Sequence, residues 1–202
     1  MDLVRIWHNS APFHVEFAEV SLEDGALQAR GVAIGAEPLA YRLEYALSTG
    51  AGFVTQRLEV SSRGAGWRRA LVLERSAAGG WTCTSEEHGN LELPSPGGDP
   101  GALHGAPDCD LGFSPLTNSM PLLRHRLHRQ PGSVEFLMAW VGVPELAVYP
   151  SSQRYTFLEQ AADGSALVRF ESLDSDFTAD IRFDEQGLVL DYPGIGRREG
   201  AH

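Results

Sequence analysis

Residues 41–47 read Tyr41-Arg42-Leu43-Glu44-Tyr45-Ala46-Leu47. Apolar side chains occupy the odd positions and Arg42 and Glu44 fall between them. That period of two describes a strand with one buried and one wet face. Upstream, Phe13, Val15 and Phe17 alternate with His14 and Glu16 in the same way. The turn-rich segments Glu23-Asp24-Gly25, Gly35-Ala36-Glu37-Pro38 and Ser48-Thr49-Gly50-Ala51-Gly52 divide residues 13–62 into successive hairpins. Downstream, Trp67–Arg75 and Gly80–Thr84 join through Ser76-Ala77-Ala78-Gly79, which extends the meander by another hairpin.

After Leu93 the composition changes. Residues 94–107 hold four prolines and four glycines, which cannot carry a regular ladder of hydrogen bonds, so this segment reads as a surface loop between two halves. Beyond it, Val134–Val141 is apolar on both faces and is expected to be a central strand covered on both sides. Gln153–Leu158, Leu167–Glu171, Phe177–Phe183 and Leu188–Tyr192 form a second run of strands, with turns at Ala162-Asp163-Gly164-Ser165 and Asp184-Glu185-Gln186-Gly187. In residues 119–130, Ser119 and Pro121 suit a helix start, yet Leu123, His125 and Leu127 alternate with Arg124, Arg126 and His128, and the alternation favours a strand. The expected fold is therefore all-β and antiparallel, a single domain over residues 1–202 built from two similar meanders with minor helix. So many strands must close or stack to hide their edges.

Composition removes several function classes. The formal net charge of −11 disfavours nucleic acid, because no basic stripe is available to neutralise phosphates. All 16 basic residues are Arg, which excludes Schiff-base lysines and the P-loop lysine. Cys83 and Cys109 are too few and too far apart for a disulfide framework. The N-terminus has no apolar signal-like run and no stretch is long enough to span a bilayer, so a cytoplasmic location is expected.

The candidate chemistry is sparse. His125 and His128 share a face only on a helix, and no carboxylate or thiol joins them at ligand spacing, so no metal site is expected. Gly112-Phe113-Ser114-Pro115-Leu116 begins like a nucleophile elbow but lacks the closing glycine, and no cofactor motif occurs. Asp108 and Asp110 lie two apart, so an extended backbone points both carboxylates the same way. They form a polar turn, or a pair suited to acid–base work on a glycoside. Asp108–Pro121 is too irregular for a strand and too apolar for a solvated loop, which places it against the body of the protein. Asn118 in this segment is positioned to tie the loop together or to touch a ligand. Arg154 and Tyr155, adjacent on a strand, point to opposite faces, so one of them at most enters a given cavity.

Leu103-His104-Gly105, Asp108-Cys109-Asp110-Leu111, Ser114-Pro115, Thr117-Asn118 and Pro121-Leu122 together resemble the signature of a bacterial putative glycolipid-binding family. Gln153-Arg154-Tyr155-Thr156, Phe177-Thr178-Ala179-Asp180 and Gly187-Leu188-Val189-Leu190-Asp191-Tyr192-Pro193 follow in the family's order. The resemblance implies a spiral β-roll, one long curved antiparallel sheet, and a noncatalytic role in binding a lipid or glycolipid. On that reading an amphiphilic small molecule is the partner and Asp110, Asn118, Arg124, Arg154 and Tyr155 are the candidate ligand contacts. A hydrolase using Asp108 and Asp110 is the alternative.

Overall fold

The computed structural model describes residues 1–200. Seven strands come first: β1 (Asp2–Ser10), β2 (Phe13–Glu23), β3 (Ala26–Gly35), β4 (Tyr41–Thr49), β5 (Thr55–Gly64), β6 (Trp67–Arg75) and β7 (Trp81–Gly89). Then follow β8 (Asp108–Leu111), the helix α1 (Ser119–His125), β9 (Ser133–Val141), β10 (Val148–Gln160), β11 (Ala166–Ser172), β12 (Thr178–Phe183), β13 (Val189–Tyr192) and β14 (Gly196–Arg198). All fourteen strands share one sheet, in the order β7-β6-β5-β4-β3-β2-β1-β14-β13-β12-β11-β10-β9-β8. The protein is thus all-β, a long curved sheet made of two meanders. They meet where Trp7 and His8 pair with Arg198 and Arg197.

That seam is short, and Trp7 reinforces it. Its side chain is fully buried and its indole Nε1 donates to the Val189 carbonyl at 2.8 Å, linking β1 to β13. Leu27, Leu43, Leu58 and Leu71, all fully buried on the same inner face, continue the core across the first meander. Each stabilises the fold by about 1.5–3 kcal/mol relative to exposure.

Three sequence expectations are corrected. First, β9 is the penultimate strand of the sheet and not a central one. Its buried residues cluster at the end where β8 pairs with it in parallel: Met138, Ala139 and Val141. Second, Ser119–His125 is helical and not a strand. Pro121 occupies the first turn, where its missing N–H costs nothing, and Arg126 ends the helix in the left-handed region at φ 55°. Met120 and Leu123, three apart, share a helix face, a signal the polar–apolar alternation obscured. Third, the start of β2 is inverted: Phe13 and Phe17 face solvent, while His14 and Glu16 face the core.

The Pro/Gly-rich segment is a strap between the two ends of the sheet. Buried Arg69 on β6 donates to the carbonyls of Leu93, Pro94 and Glu145. The Gly97 amide donates to the Leu146 carbonyl at 2.8 Å, and Ser85 Oγ on β7 donates to the Pro96 carbonyl at 3.0 Å. The strap therefore connects the edge strand β7 to the β9–β10 connection. Residues 108–125 emerge from it into the interior, where α1 packs on the 3-10 turn Ala51–Phe53.

Candidate ligand-binding cavity

β8 carries Asp110 into the interior, and the chain then reverses through Gly112-Phe113, with Phe113 held at φ 59°. A non-glycine residue in this region stores strain of a kind that concentrates at functional sites. The reversal delivers Ser114 and the 3-10 turn Pro115–Asn118 beneath β10. Asp110 Oδ1 accepts from Thr117 Oγ1 at 2.9 Å, and Oδ2 accepts from Gln153 Nε2 at 2.8 Å. Burial pushes the Asp110 carboxyl up to about 6, although the Gln153 and Thr117 bonds pull it back towards the ordinary range. Asn118 Nδ2 donates to the Ser114 carbonyl at 3.3 Å, and Asn118 Oδ1 accepts from the Tyr155 hydroxyl at 2.6 Å.

Above this polar floor lies a cavity of about 400 Å³. Its walls are aromatic: Phe113, Trp140, Tyr149, Phe170, Phe177 and Tyr192. Trp140 and Tyr149 pair across β9 and β10 with ring centroids 6.2 Å apart, and Phe170 lies 5.8 Å from Phe177 and 6.1 Å from Tyr192. Tyr149 and Phe177 are also exposed, so two aromatic rings reach the mouth, beside the polar Ser172 and Ser175. Asp174 stands at that mouth and accepts from the Ser152 amide at 2.5 Å. A second concavity, about 550 Å³, lies across the outer side of β1–β5. Arg30, Arg57, Glu19 and Glu59 are among its residues, and among the described residues no aromatic ring lines it. It offers neither a stacking wall nor a buried polar floor.

The structure therefore brings Asp110, Asn118 and Tyr155 together and separates the other candidates from them. Tyr155 lies one layer behind the wall, edge-on to Phe170 at 5.2 Å. Arg154, on the opposite face as the strand period requires, is bound outside by Glu135 at 2.6 Å and Glu171 at 3.4 Å. Arg124 does not line the cavity either, and its Nη1 and Nη2 donate to the two oxygens of Asp108 at 3.0 and 2.5 Å. Asp108 is completely buried and its second role is to accept from the Thr55 amide at 3.4 Å. Burial raises the Asp108 carboxyl and the Arg124 guanidinium offsets part of that rise. Of the two aspartates in the segment, only Asp110 opens to the cavity.

The family described as putative glycolipid-binding matches residues 4–198. The chain belongs to that family. The structure is similar to the crystal structure of a DUF1089 family protein from Pseudomonas aeruginosa, with a TM-score of 0.69 and 26% identity over 91% of each chain. No curated protein matches it. Among the described residues of this member of the putative glycolipid-binding family, no helix is long and apolar enough to cross a membrane.

Sequence reasoning missed a second polar cluster behind the cavity of this family member. Glu16 is fully buried, and its Oε1 accepts from Tyr45 OH at 2.5 Å and from the cavity residue Ser114 Oγ at 2.8 Å. Its Oε2 is buried without a partner. Burial pushes the Glu16 carboxyl up to about 7 against the pull of the Tyr45 and Ser114 bonds. His14, two residues earlier on the same face, has Nδ1 3.0 Å from Tyr41 OH, and burial lowers its imidazole to about 4. Both tyrosines reach β2 from β4 by crossing β3 at a glycine. A Cβ on Gly31 would lie 2.3 Å from the Tyr45 ring, and one on Gly35 would lie 2.4 Å from that of Tyr41. Gly31 and Gly35 opposite Tyr45 and Tyr41 were the signal available in the sequence. It becomes readable only when the strand register is known.

Proposed function

We propose that this protein binds the sugar headgroup of a glycolipid in the aromatic cavity and leaves the acyl portion against the exposed rings of Tyr149 and Phe177 at its mouth. One observation carries the reading: buried hydrogen-bonding groups converge at the floor, at Asp110, Asn118, Ser114 and Gln153, while the walls are aromatic and the exposed rings of Tyr149 and Phe177 stand at the mouth beside the polar Asp174 and Ser175. A sugar ring has apolar C–H faces that suit aromatic walls and hydroxyls that need convergent polar partners. At about 400 Å³ the cavity is at the small end of the range for ligand pockets, which suits a headgroup better than a whole lipid.

Calorimetric titration with n-octyl β-D-glucopyranoside below its micelle concentration tests this reading. Saturable one-to-one binding is expected. Phe177→Ala removes an exposed wall ring that packs on Phe170 and Tyr192, and should weaken the affinity by about threefold to tenfold, the value of one aromatic contact. Absence of saturable binding, or unchanged affinity in Phe177→Ala, would contradict it.

A further inference from the structure

We propose that the cavity selects an uncharged polyhydroxyl headgroup and rejects both anionic and cationic ones, a specificity that rests on the glycolipid reading above. The charges are one-sided. Asp110 and Asp174 line the cavity, and among the described residues no Arg or His does. The arginines that could have served a phosphate are committed elsewhere, Arg124 to Asp108 and Arg154 to Glu135 and Glu171.

The unused hydrogen-bonding capacity of the floor sharpens the choice. Asp110 receives one hydrogen on each oxygen, from Thr117 and Gln153, so each oxygen keeps a lone pair for a ligand. Asn118 and Gln153 each commit one amide hydrogen, to the Ser114 carbonyl and to Asp110, and each keeps one to donate. Ser114 gives its hydroxyl hydrogen to Glu16, and its oxygen remains free to accept. The floor thus asks for a ligand that both donates and accepts at several neighbouring points, as adjacent sugar hydroxyls do.

A phosphate or sulfate supplies acceptors facing the lone pairs of Asp110 and meets two neutral amide hydrogens and no cation. A quaternary ammonium would find the aromatic walls and carboxylates favourable, but it leaves the free hydrogens of Asn118 and Gln153 buried and unpartnered, which is costly. Only a neutral polyol satisfies both sets of groups.

Three probes with the same chain separate the possibilities at pH 7.5: n-octyl β-D-glucopyranoside, n-octyl phosphate and n-octyltrimethylammonium, each titrated below its micelle concentration. The glucoside is expected to bind at least about tenfold more tightly than either ion, since a mispaired buried charge forfeits at least that factor. The preference over octyl phosphate should persist at 0.5 M salt, where the field of the net charge of −11 is screened. Asp174→Asn, at the exposed rim, should narrow that preference while leaving the circular dichroism spectrum unchanged. If an ion binds as tightly as the glucoside, the selectivity fails and the amphiphile site stands. Loss of the preference in high salt overturns the assignment of selectivity to the cavity. If none of the three binds, the glycolipid reading falls and this proposal falls with it.

Discussion

Arg124→Ala is expected to destabilise the protein by about 3–5 kcal/mol, the cost of leaving one partner of a buried ion pair uncompensated. Asp108 is fully buried and both its oxygens are held by Arg124, while the Thr55 amide alone remains when the guanidinium is removed. The pair fixes β8 to α1, and through them the orientation of Asp110 two residues later. Urea denaturation measures the loss. The double variant Asp108→Asn with Arg124→Gln should recover most of it, because a neutral pair no longer strands a charge. A single-variant loss under about 1 kcal/mol would mean that solvent reaches Asp108 and that the pair behaves as an exposed one.

The second large effect is a pH dependence. Glu16 titrates at about 7 in the folded protein, against an ordinary value of 4.5. The folded state therefore holds this proton more tightly than the unfolded state does. The resulting stability is fully present below about pH 4.5 and is lost as pH rises through 7. At about 1.4 kcal/mol per pH unit the loss is on the order of 3 kcal/mol. Glu16→Gln keeps an oxygen for Tyr45 and Ser114 and cannot ionise. Its stability relative to the wild type should rise by on the order of 3 kcal/mol between pH 4.5 and pH 8, whatever constant offset the new amide introduces. His14, lowered to about 4, works in the opposite direction, since its neutral form is favoured by folding and is lost on acidification. Comparing variant with wild type cancels that contribution. Parallel stability curves for the two proteins would show that Glu16 is solvated.

The meanders were legible because their strands carry regular signals. Tyr41, Leu43, Tyr45 and Leu47 are all buried, as their alternation indicates, and Arg154 and Tyr155 do face opposite ways. Alternation alone does not say which set of side chains points inward. In β2 the apolar set is outside because Tyr41 and Tyr45 cross Gly35 and Gly31 to satisfy His14 and Glu16, a compensation made by a strand two places away. The cavity was legible only in its floor. Asp110 and Asn118 fall in one unusual segment, whereas Trp140, Tyr149, Phe170, Phe177 and Tyr192 come from separate stretches that meet through the curvature of the sheet. Arg124 was a candidate ligand contact only through the family resemblance, and the strand reading of its segment did not place it against the buried Asp108. On a helix it turns to Asp108.

The central claim is that a headgroup occupies the aromatic cavity above Asp110. Its most direct test is a nitrogen-edited NMR titration of the protein with n-octyl β-D-glucopyranoside, following the side-chain amides of Asn118 and Gln153 and the indole of Trp140. These three signals are expected to shift together and saturate with one affinity. Shifts confined to the outer groove near Arg30 and Arg57, or none at the three reporters at saturating ligand, would contradict it.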